Sequence, residues 1–318
     1  MRTIKPLLLL LFVIFLYSCE DIIEEDITDD IVQVVYPQNN QNIYSNVVNF
    51  QWNSLNGADD YRVQVFDENS SIVLDSLVNQ NSLSFPLSQG EYQWRVRGEN
   101  FAYVSSYSTN HTFTIFETDD LTNQQVVLSS PADGFYTNNP SLVLTWQNLN
   151  AADNYSFELV RVTNGDVVIN QQSNLTATSL NLNSTILNQN AEYRWKIKGV
   201  NSTSETNYSA RKFYLDTVLP NQPVNTLPAN NSTQTINQTV SFSWSIPSDS
   251  GVIMSPISYT IEFSNSISFA TIIQSSNVNV NTFQQTFTSA GDYYWRIIAK
   301  DLAGNTGVSS TPFKFTIN

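Results

Sequence analysis

The chain has little of the chemistry that most enzymes use. Its 318 residues include one histidine and one cysteine, and only 13% of them are charged. Because a disulfide needs two cysteines, each folded part must be stabilised by its own hydrophobic core. Motifs such as HExxH, the EF-hand loop and the P-loop do not occur in the sequence. We therefore expect no catalytic residues, no cofactor and no metal site, and we predict that the protein is not an enzyme.

Basic residues are also scarce. The chain has 14 Lys and Arg residues against 28 Asp and Glu residues, which gives a net charge of −14. Nucleic acids and anionic lipid surfaces both attract a basic face. The composition therefore argues against nucleic acid as a partner.

Long hydrophobic runs are missing as well. The longest apolar run, Leu7 to Leu16, is too short to span a bilayer comfortably. Arg2 and Lys5 precede it, and the chain's one cysteine, Cys19, follows shortly after. A basic segment followed by a short apolar stretch is typical of a secretory signal peptide.

The processing site is Leu16-Tyr17-Ser18-Cys19, which resembles the lipobox of bacterial lipoproteins. The resemblance implies a signal peptide over residues 1–18 and lipidation of the Cys19 thiol. Two or more acyl chains would then anchor the protein in the membrane. A chance cysteine in an ordinary signal peptide, or an uncleaved anchor, are the alternatives.

An acidic segment follows the cysteine. It carries no Lys or Arg, so we predict a solvated, extended linker over residues 19–31. The segment also resembles acidic export signals of Gram-negative surface lipoproteins, and a plain spacer explains it equally well. We expect an outer-membrane lipoprotein exposed on the cell surface, with the periplasmic face as the alternative. The acidic residues are Glu20, Asp21, Glu24, Glu25, Asp26, Asp29 and Asp30.

Six tryptophans reveal an internal repeat. They form three pairs whose equivalent members recur at close to one hundred residues, a period that indicates repeated domains. Segments that alternate apolar and polar residues accompany each pair and predict half-buried strands. The pairs are Trp52 with Trp94, Trp146 with Trp195 and Trp244 with Trp295, and the alternating segments start at Tyr61, Tyr155 and Tyr259.

About seven short strands per hundred residues indicate an immunoglobulin-like β-sandwich. The tryptophan positions and the Tyr-x-Trp phrases resemble the fibronectin type III family in particular. We predict an all-β chain of three such tandem domains, over residues 32–117, 124–216 and 221–318. The strand pattern puts the tryptophans in the cores, against the alternative of a sugar-stacking platform. The resemblance implies that Tyr92, Tyr193 and Tyr293 form tyrosine corners.

Candidate ligand-binding residues come from the loops, where this fold places recognition. Phe101 and Tyr103 follow the Trp94 strand, and Phe135 and Tyr136 follow the Pro131 turn. The alternative is that these aromatic rings plug the open end of a sandwich.

Other reactive groups have simpler explanations. We interpret His111 as an exposed edge residue. Paired carboxylates could act in glycoside hydrolysis, but Asp59 with Asp60 and Asp67 with Glu68 fall in predicted surface loops. The segment Asp301–Asn305 fits a hydrogen-bonded turn better than a cation site.

The sequence thus predicts a non-catalytic cell-envelope lipoprotein that acts as a binding, adhesion or scaffold module. Its partner is an unknown protein or glycan. The alternative is a glycan-binding accessory lipoprotein of a polysaccharide-uptake system, and an enzyme with a cleft between domains is a third hypothesis.

Overall fold

The structure is a computed structural model that describes residues 24–163 and 165–318. Within these two ranges every regular element is a β-strand. Across the same residues, no helix has the length and apolar character needed to span a membrane.

The first copy of the repeat is a two-layer sandwich. One sheet has three strands in the order β1-β3-β6, and the other has five in the order β2-β8-β7-β4-β5. Strand β2 runs parallel to β8, whereas β4 pairs antiparallel with both β5 and β7. The strands are β1 (Val34–Tyr36), β2 (Gln41–Ile43), β3 (Val47–Trp52), β4 (Asp60–Asp67), β5 (Ile72–Val78), β6 (Ser82–Pro86), β7 (Gly90–Glu99) and β8 (His111–Ile115).

The second copy repeats this topology strand for strand. Its sheets have the orders β14-β11-β9 and β10-β16-β15-β12-β13. The strands are β9 (Leu128–Ser130), β10 (Phe135–Thr137), β11 (Leu142–Trp146), β12 (Asn154–Arg161), β13 (Val167–Leu175), β14 (Ser179–Leu182), β15 (Ala191–Val200) and β16 (Ser209–Leu215).

The third copy does the same, with the sheets β17-β19-β22 and β18-β24-β23-β20-β21. Its strands are β17 (Asn225–Leu227), β18 (Ser232–Gln234), β19 (Thr239–Trp244), β20 (Ile257–Ser264), β21 (Gln274–Val278), β22 (Thr282–Thr286), β23 (Gly291–Asp301) and β24 (Phe313–Ile317). The fold class is therefore as predicted, namely three tandem fibronectin type III-like β-sandwiches. The chain forms two compact units, one with the first sandwich and one with the second and third.

Each sandwich has its own core. Residues along the central strands alternate between buried and partly exposed, because successive side chains of a strand point to opposite faces. All six tryptophans are at most 3% exposed, which confirms that they are core residues. The strand register also repeats, with Val65 opposite Trp94, Leu159 opposite Trp195 and Phe263 opposite Trp295.

The three tyrosine corners are present. In each copy a tyrosine hydroxyl donates a hydrogen bond to the backbone carbonyl four residues earlier. The donors and distances are Tyr92 to Ser88 at 3.1 Å, Tyr193 to Gln189 at 2.7 Å and Tyr293 to Ser289 at 3.0 Å.

The segment before the first sandwich differs from the prediction. Over residues 24–31 the expected extended linker instead packs on the sandwich. Ile27 is fully buried. The backbone amide of Ser106 donates to the Asp30 carbonyl at 3.1 Å. The acidic composition predicted a solvated segment and gave no sign of this contact. One buried isoleucine can hold a short charged segment on the sandwich while its carboxylates stay in water.

Candidate functional site

The first predicted aromatic pair lies where the sequence placed it, in the loop after β7. Phe101 is 95% exposed and Tyr103 is 37% exposed. The Asn100 side chain fixes this loop, because its Oδ1 accepts from the backbone amides of Ala102 and Tyr103 at 3.1 and 2.7 Å. A large apolar ring is thus held in water on an ordered loop.

The second aromatic pair lies in a strand. Phe135 and Tyr136 begin β10, which pairs in parallel with β16. Phe135 is 41% exposed, and Tyr136 is half-buried because its ring stacks on Tyr214 with the centroids 4.4 Å apart. The turn therefore ends at Gly134, and Tyr136 belongs to the sheet edge.

The remaining predicted residues are located as follows. Cys19 lies outside the described residues. His111 begins β8 and is half-buried against Trp94, with ring centroids 6.4 Å apart, and burial lowers the pKa of its imidazole. Asp67 ends β4 and caps a turn, since its Oδ1 accepts from the backbone amides of Asn69 and Ser71. Asp59 and Glu68 are exposed, and Asp60 begins β4.

One loop position differs between the copies. It lies six positions after the second tryptophan and is Asn100, Asn201 and Asp301 in the three copies. In the first copy Asn100 Nδ2 donates to the carbonyls of Glu25 and Gly57 at 2.9 and 2.8 Å.

The second copy uses the same arrangement. Asn201 Nδ2 donates to the carbonyls of Asp119 and Ala151 at 2.8 and 2.9 Å. In both copies a neutral amide therefore joins two segments. One segment precedes the sandwich. The other is the loop between the strand of the first tryptophan and the next strand, which we call the B–C loop.

The third copy has a carboxylate at this position, and a carboxylate cannot donate. Asn305 supplies the donor to the preceding segment instead, since its Nδ2 donates to the carbonyl of Asp216 at 2.8 Å and to Asp301 Oδ2 at 2.8 Å. Two further carboxylates lie beside Asp301. One oxygen each of Asp216, Asp249 and Asp301 lies within 4.8 Å of the other two. We call these three residues the acidic cluster.

Three separate segments contribute to the acidic cluster. Asp216 directly follows β16 of the second sandwich, and Asp301 ends β23 of the third. Asp249 lies in the third sandwich's B–C loop. Fifteen positions separate Trp244 from Tyr259, whereas nine separate Trp146 from Tyr155. The longer loop brings Asp249 to the cluster.

The hydrogen-bond donors to the acidic cluster are neutral. Ser255 contacts two of the carboxylates, through its hydroxyl to Asp216 Oδ2 at 2.5 Å and its amide to Asp249 Oδ2 at 2.9 Å. The other donors are the backbone amides of Val218, Ser250 and Asn305 and the side chain of Asn305. Burial raises the pKa of Asp249, and the charges of Asp216 and Asp301 raise it further.

The sequence predicted a hydrogen-bonded turn at Asp301, and the bond from the Asn305 amide to Asp301 Oδ1 confirms that turn. Asp216 and Asp249 were not predicted. A repeat signal was available, because Glu25, Asp119 and Asp216 occupy the same position ahead of the three sandwiches, 94 and 97 residues apart. The lengthened B–C loop of the third copy was the second signal.

No known family matches the chain, and no curated protein matches it. The chain is similar to the FN1–FN3 domains of chicken CNTN1, at 16% identity and a TM-score of 0.45 over 90% of this chain and 97% of that one. It is also similar to fibronectin(III)-like modules of Clostridium thermocellum CbhA, at 16% identity and a TM-score of 0.38 over 61% of this chain and 93% of that one.

Proposed function

We propose that this chain is a lipoprotein of the cell envelope, anchored through Cys19 in the outer membrane and exposed at the cell surface. Its three sandwiches form a non-catalytic module for binding, adhesion or scaffolding. The lipobox-like sequence supports the anchor, and the acidic residues that follow it support export.

The observation that carries the binding function is the Phe101 ring. Burying a phenylalanine is worth roughly 1.5–3 kcal/mol, so an almost fully exposed ring on an ordered loop forgoes that stabilisation. An exposed aromatic ring on a fixed loop is well suited to contact a partner, since aromatic residues dominate the energetics of interfaces. Tyr103 in the same loop adds a ring with a polar tip.

The short segment between Cys19 and the first sandwich limits how far that sandwich could lie from a membrane. Residue 25 is already bonded to the first sandwich, so only residues 20–24 separate it from Cys19. Five residues span at most about 18 Å when fully extended. A lipidated Cys19 would therefore hold the first sandwich close to the bilayer.

Protease shaving of intact cells tests the location. We expect the wild-type protein to be digested and Cys19→Ala to be released from the membrane fraction. Replacing Glu20 and Asp21 with Ser should protect the protein from digestion if these residues direct export. Asp29→Ser is the matched control, because Asp29 is acidic and exposed but lies in the packed segment. Protection of the wild-type protein would contradict surface exposure.

A binding assay tests the function. The full chain with Cys19→Ala is screened against arrayed glycans and immobilised envelope proteins, beside variants Phe101→Ala and Phe135→Ala. We expect Phe101→Ala to lose binding and Phe135→Ala, which changes an exposed ring in a strand, to retain it. Equal binding by both variants would contradict the role of Phe101.

A glycan-binding accessory role in polysaccharide uptake is the second candidate. The same exposed ring favours it, because aromatic faces stack on sugar rings. A signal restricted to glycans and lost in Phe101→Ala would select this candidate, whereas a signal restricted to proteins would select adhesion or scaffolding.

A further inference from the structure

We propose that the acidic cluster of Asp216, Asp249 and Asp301 is a calcium site that joins the second and third sandwiches. The sequence led us to expect no metal site, and the proposed binding function does not require one. The inference therefore stands apart from that function.

The spacing of the three carboxylates fits one calcium ion. One oxygen from each side chain lies within 4.8 Å of the others. Calcium binds oxygen ligands at 2.3–2.6 Å, so a single ion can contact oxygens up to roughly 4.6–5.2 Å apart. An all-oxygen set of carboxylates also suits calcium better than zinc or copper, which bind nitrogen and sulfur ligands readily.

The buried charges are a second, separate observation that points to a cation. Asp216 is fully buried and Asp301 is 3% exposed, and both side chains point into the cluster. Among residues 24–163 and 165–318, no Lys, Arg or His forms a salt bridge with either carboxylate. Neutral hydrogen-bond donors do not cancel a net charge, and a buried charge without a counter-charge is strongly unfavourable. A divalent cation would supply the missing positive partner.

The other two copies show what the same position looks like without such charges. There the loop position holds a neutral asparagine. The residue equivalent to Asp216 in the second copy is Asp119, whose side chain is exposed. Only in the third copy is the residue at this position, Asp216, buried. Beside it lie the carboxylate of Asp249, from the longer B–C loop, and that of Asp301, at the position of the asparagine. The acidic cluster is thus a local addition to an otherwise repeated arrangement.

The bound ion would connect two sandwiches. Asp216 follows the last strand of the second sandwich, whereas Asp249 and Asp301 belong to loops of the third. Calcium would therefore hold the end of one sandwich against the loops of the next. Its removal would leave three close negative charges at this junction, which would repel one another.

Isothermal titration of the full chain with calcium chloride tests the site. The protein carries Cys19→Ala to prevent lipidation and is first stripped of metal. We expect saturable binding of one ion per chain, and a thermal unfolding midpoint that rises with calcium concentration and falls with EDTA. Magnesium should bind more weakly, because it requires shorter, near-octahedral coordination.

Two variants make the test specific. Asp249→Asn should weaken calcium binding by about tenfold or more, because ligand charge sets calcium affinity. Asp153→Asn should bind like the wild type, since Asp153 is an exposed aspartate in the second sandwich's B–C loop. Circular dichroism in EDTA checks that both variants fold.

Several outcomes would overturn the proposal. These are no saturable binding of calcium by the wild type, unchanged binding by Asp249→Asn, or equal weakening by Asp153→Asn. If shared protons rather than a metal ion neutralise the cluster, calcium has no effect on the unfolding midpoint of the wild type.

Discussion

The second and third sandwiches place side chains of different charge at the same loop position, a neutral amide in one and a carboxylate in the other. In the second, Asn201 is a donor that joins two backbone carbonyls across the loop. In the third, Asp301 is an acceptor, and the donor has moved to Asn305. The strands, registers and tyrosine corners are the same in both copies. The repeated sandwich thus accommodates a change of charge at its loops, because each copy has its own hydrophobic core.

The largest expected effect comes from the buried tryptophans, which the two sandwiches share. Trp195 and Trp295 are both fully buried at equivalent positions. Replacing either with Ala should lower the free energy of unfolding of its own sandwich by about 3–5 kcal/mol, through lost burial and a cavity. Urea unfolding, carried out in calcium and in EDTA, measures this change in the free energy of unfolding. A loss for Trp295→Ala that depends on calcium would show that core and junction are coupled.

A smaller effect is expected where the two sandwiches differ. Asn201→Asp should destabilise the second sandwich by about 1–3 kcal/mol, because the carbonyls of Asp119 and Ala151 lose their donor and face a carboxylate. Thermal unfolding measures the change. Asn150→Asp is the control, since it adds the same charge at an exposed position of the same B–C loop, keeps the oxygen that accepts from Asn148, and should cost little. Equal losses for the two variants would mean that the added charge, and not the lost donor, destabilises the sandwich.

The reciprocal change tests the acidic cluster. Asp301→Asn in EDTA should raise the unfolding midpoint, since it removes one of three close negative charges. In calcium the same variant should lose the stabilisation that the ion gives the wild type. A lower midpoint in EDTA would contradict our view that the charges are unpaired.

The fold could be predicted largely because its signals are local. Alternation of apolar and polar residues at Tyr155 and Tyr259 specifies strands, since side chains alternate between faces. The acidic cluster could not be predicted this way, because Asp216 and Asp301 meet only through the packing of two sandwiches. The buried Ile27 and the β10 strand at Phe135 were missed for the same reason, since both depend on pairing with distant segments.

The tyrosine corners should behave alike in the two sandwiches. Tyr193→Phe and Tyr293→Phe each remove one hydroxyl that donates to a carbonyl, so each should cost about 0.5–1.5 kcal/mol. Tyr208→Phe is the control, because this tyrosine is exposed and lies outside the corner motif. Chemical denaturation resolves the difference. A corner that costs nothing in one copy would mean that its loop is held by other contacts.

The smallest expected effect is a pH dependence of opposite sign in the two copies. Hydrogen bonds from the Thr122 side chain and backbone lower the pKa of Asp120, which precedes the second sandwich, whereas burial raises the pKa of Asp249 in the third. A lowered folded pKa contributes stability above the unfolded value that is lost as the pH falls.

A raised folded pKa acts the other way. The folded chain then holds the proton more tightly than the unfolded chain, so acidification from neutral pH through that pKa stabilises the third sandwich. Thermal unfolding in EDTA from pH 7 to pH 4 should therefore show Asp249→Asn losing this acid stabilisation, while Asp120→Asn, at an exposed site, changes the profile only slightly and in the opposite direction. An identical pH profile for wild type and Asp249→Asn would mean that the third sandwich's junction carries no charge that folding must neutralise.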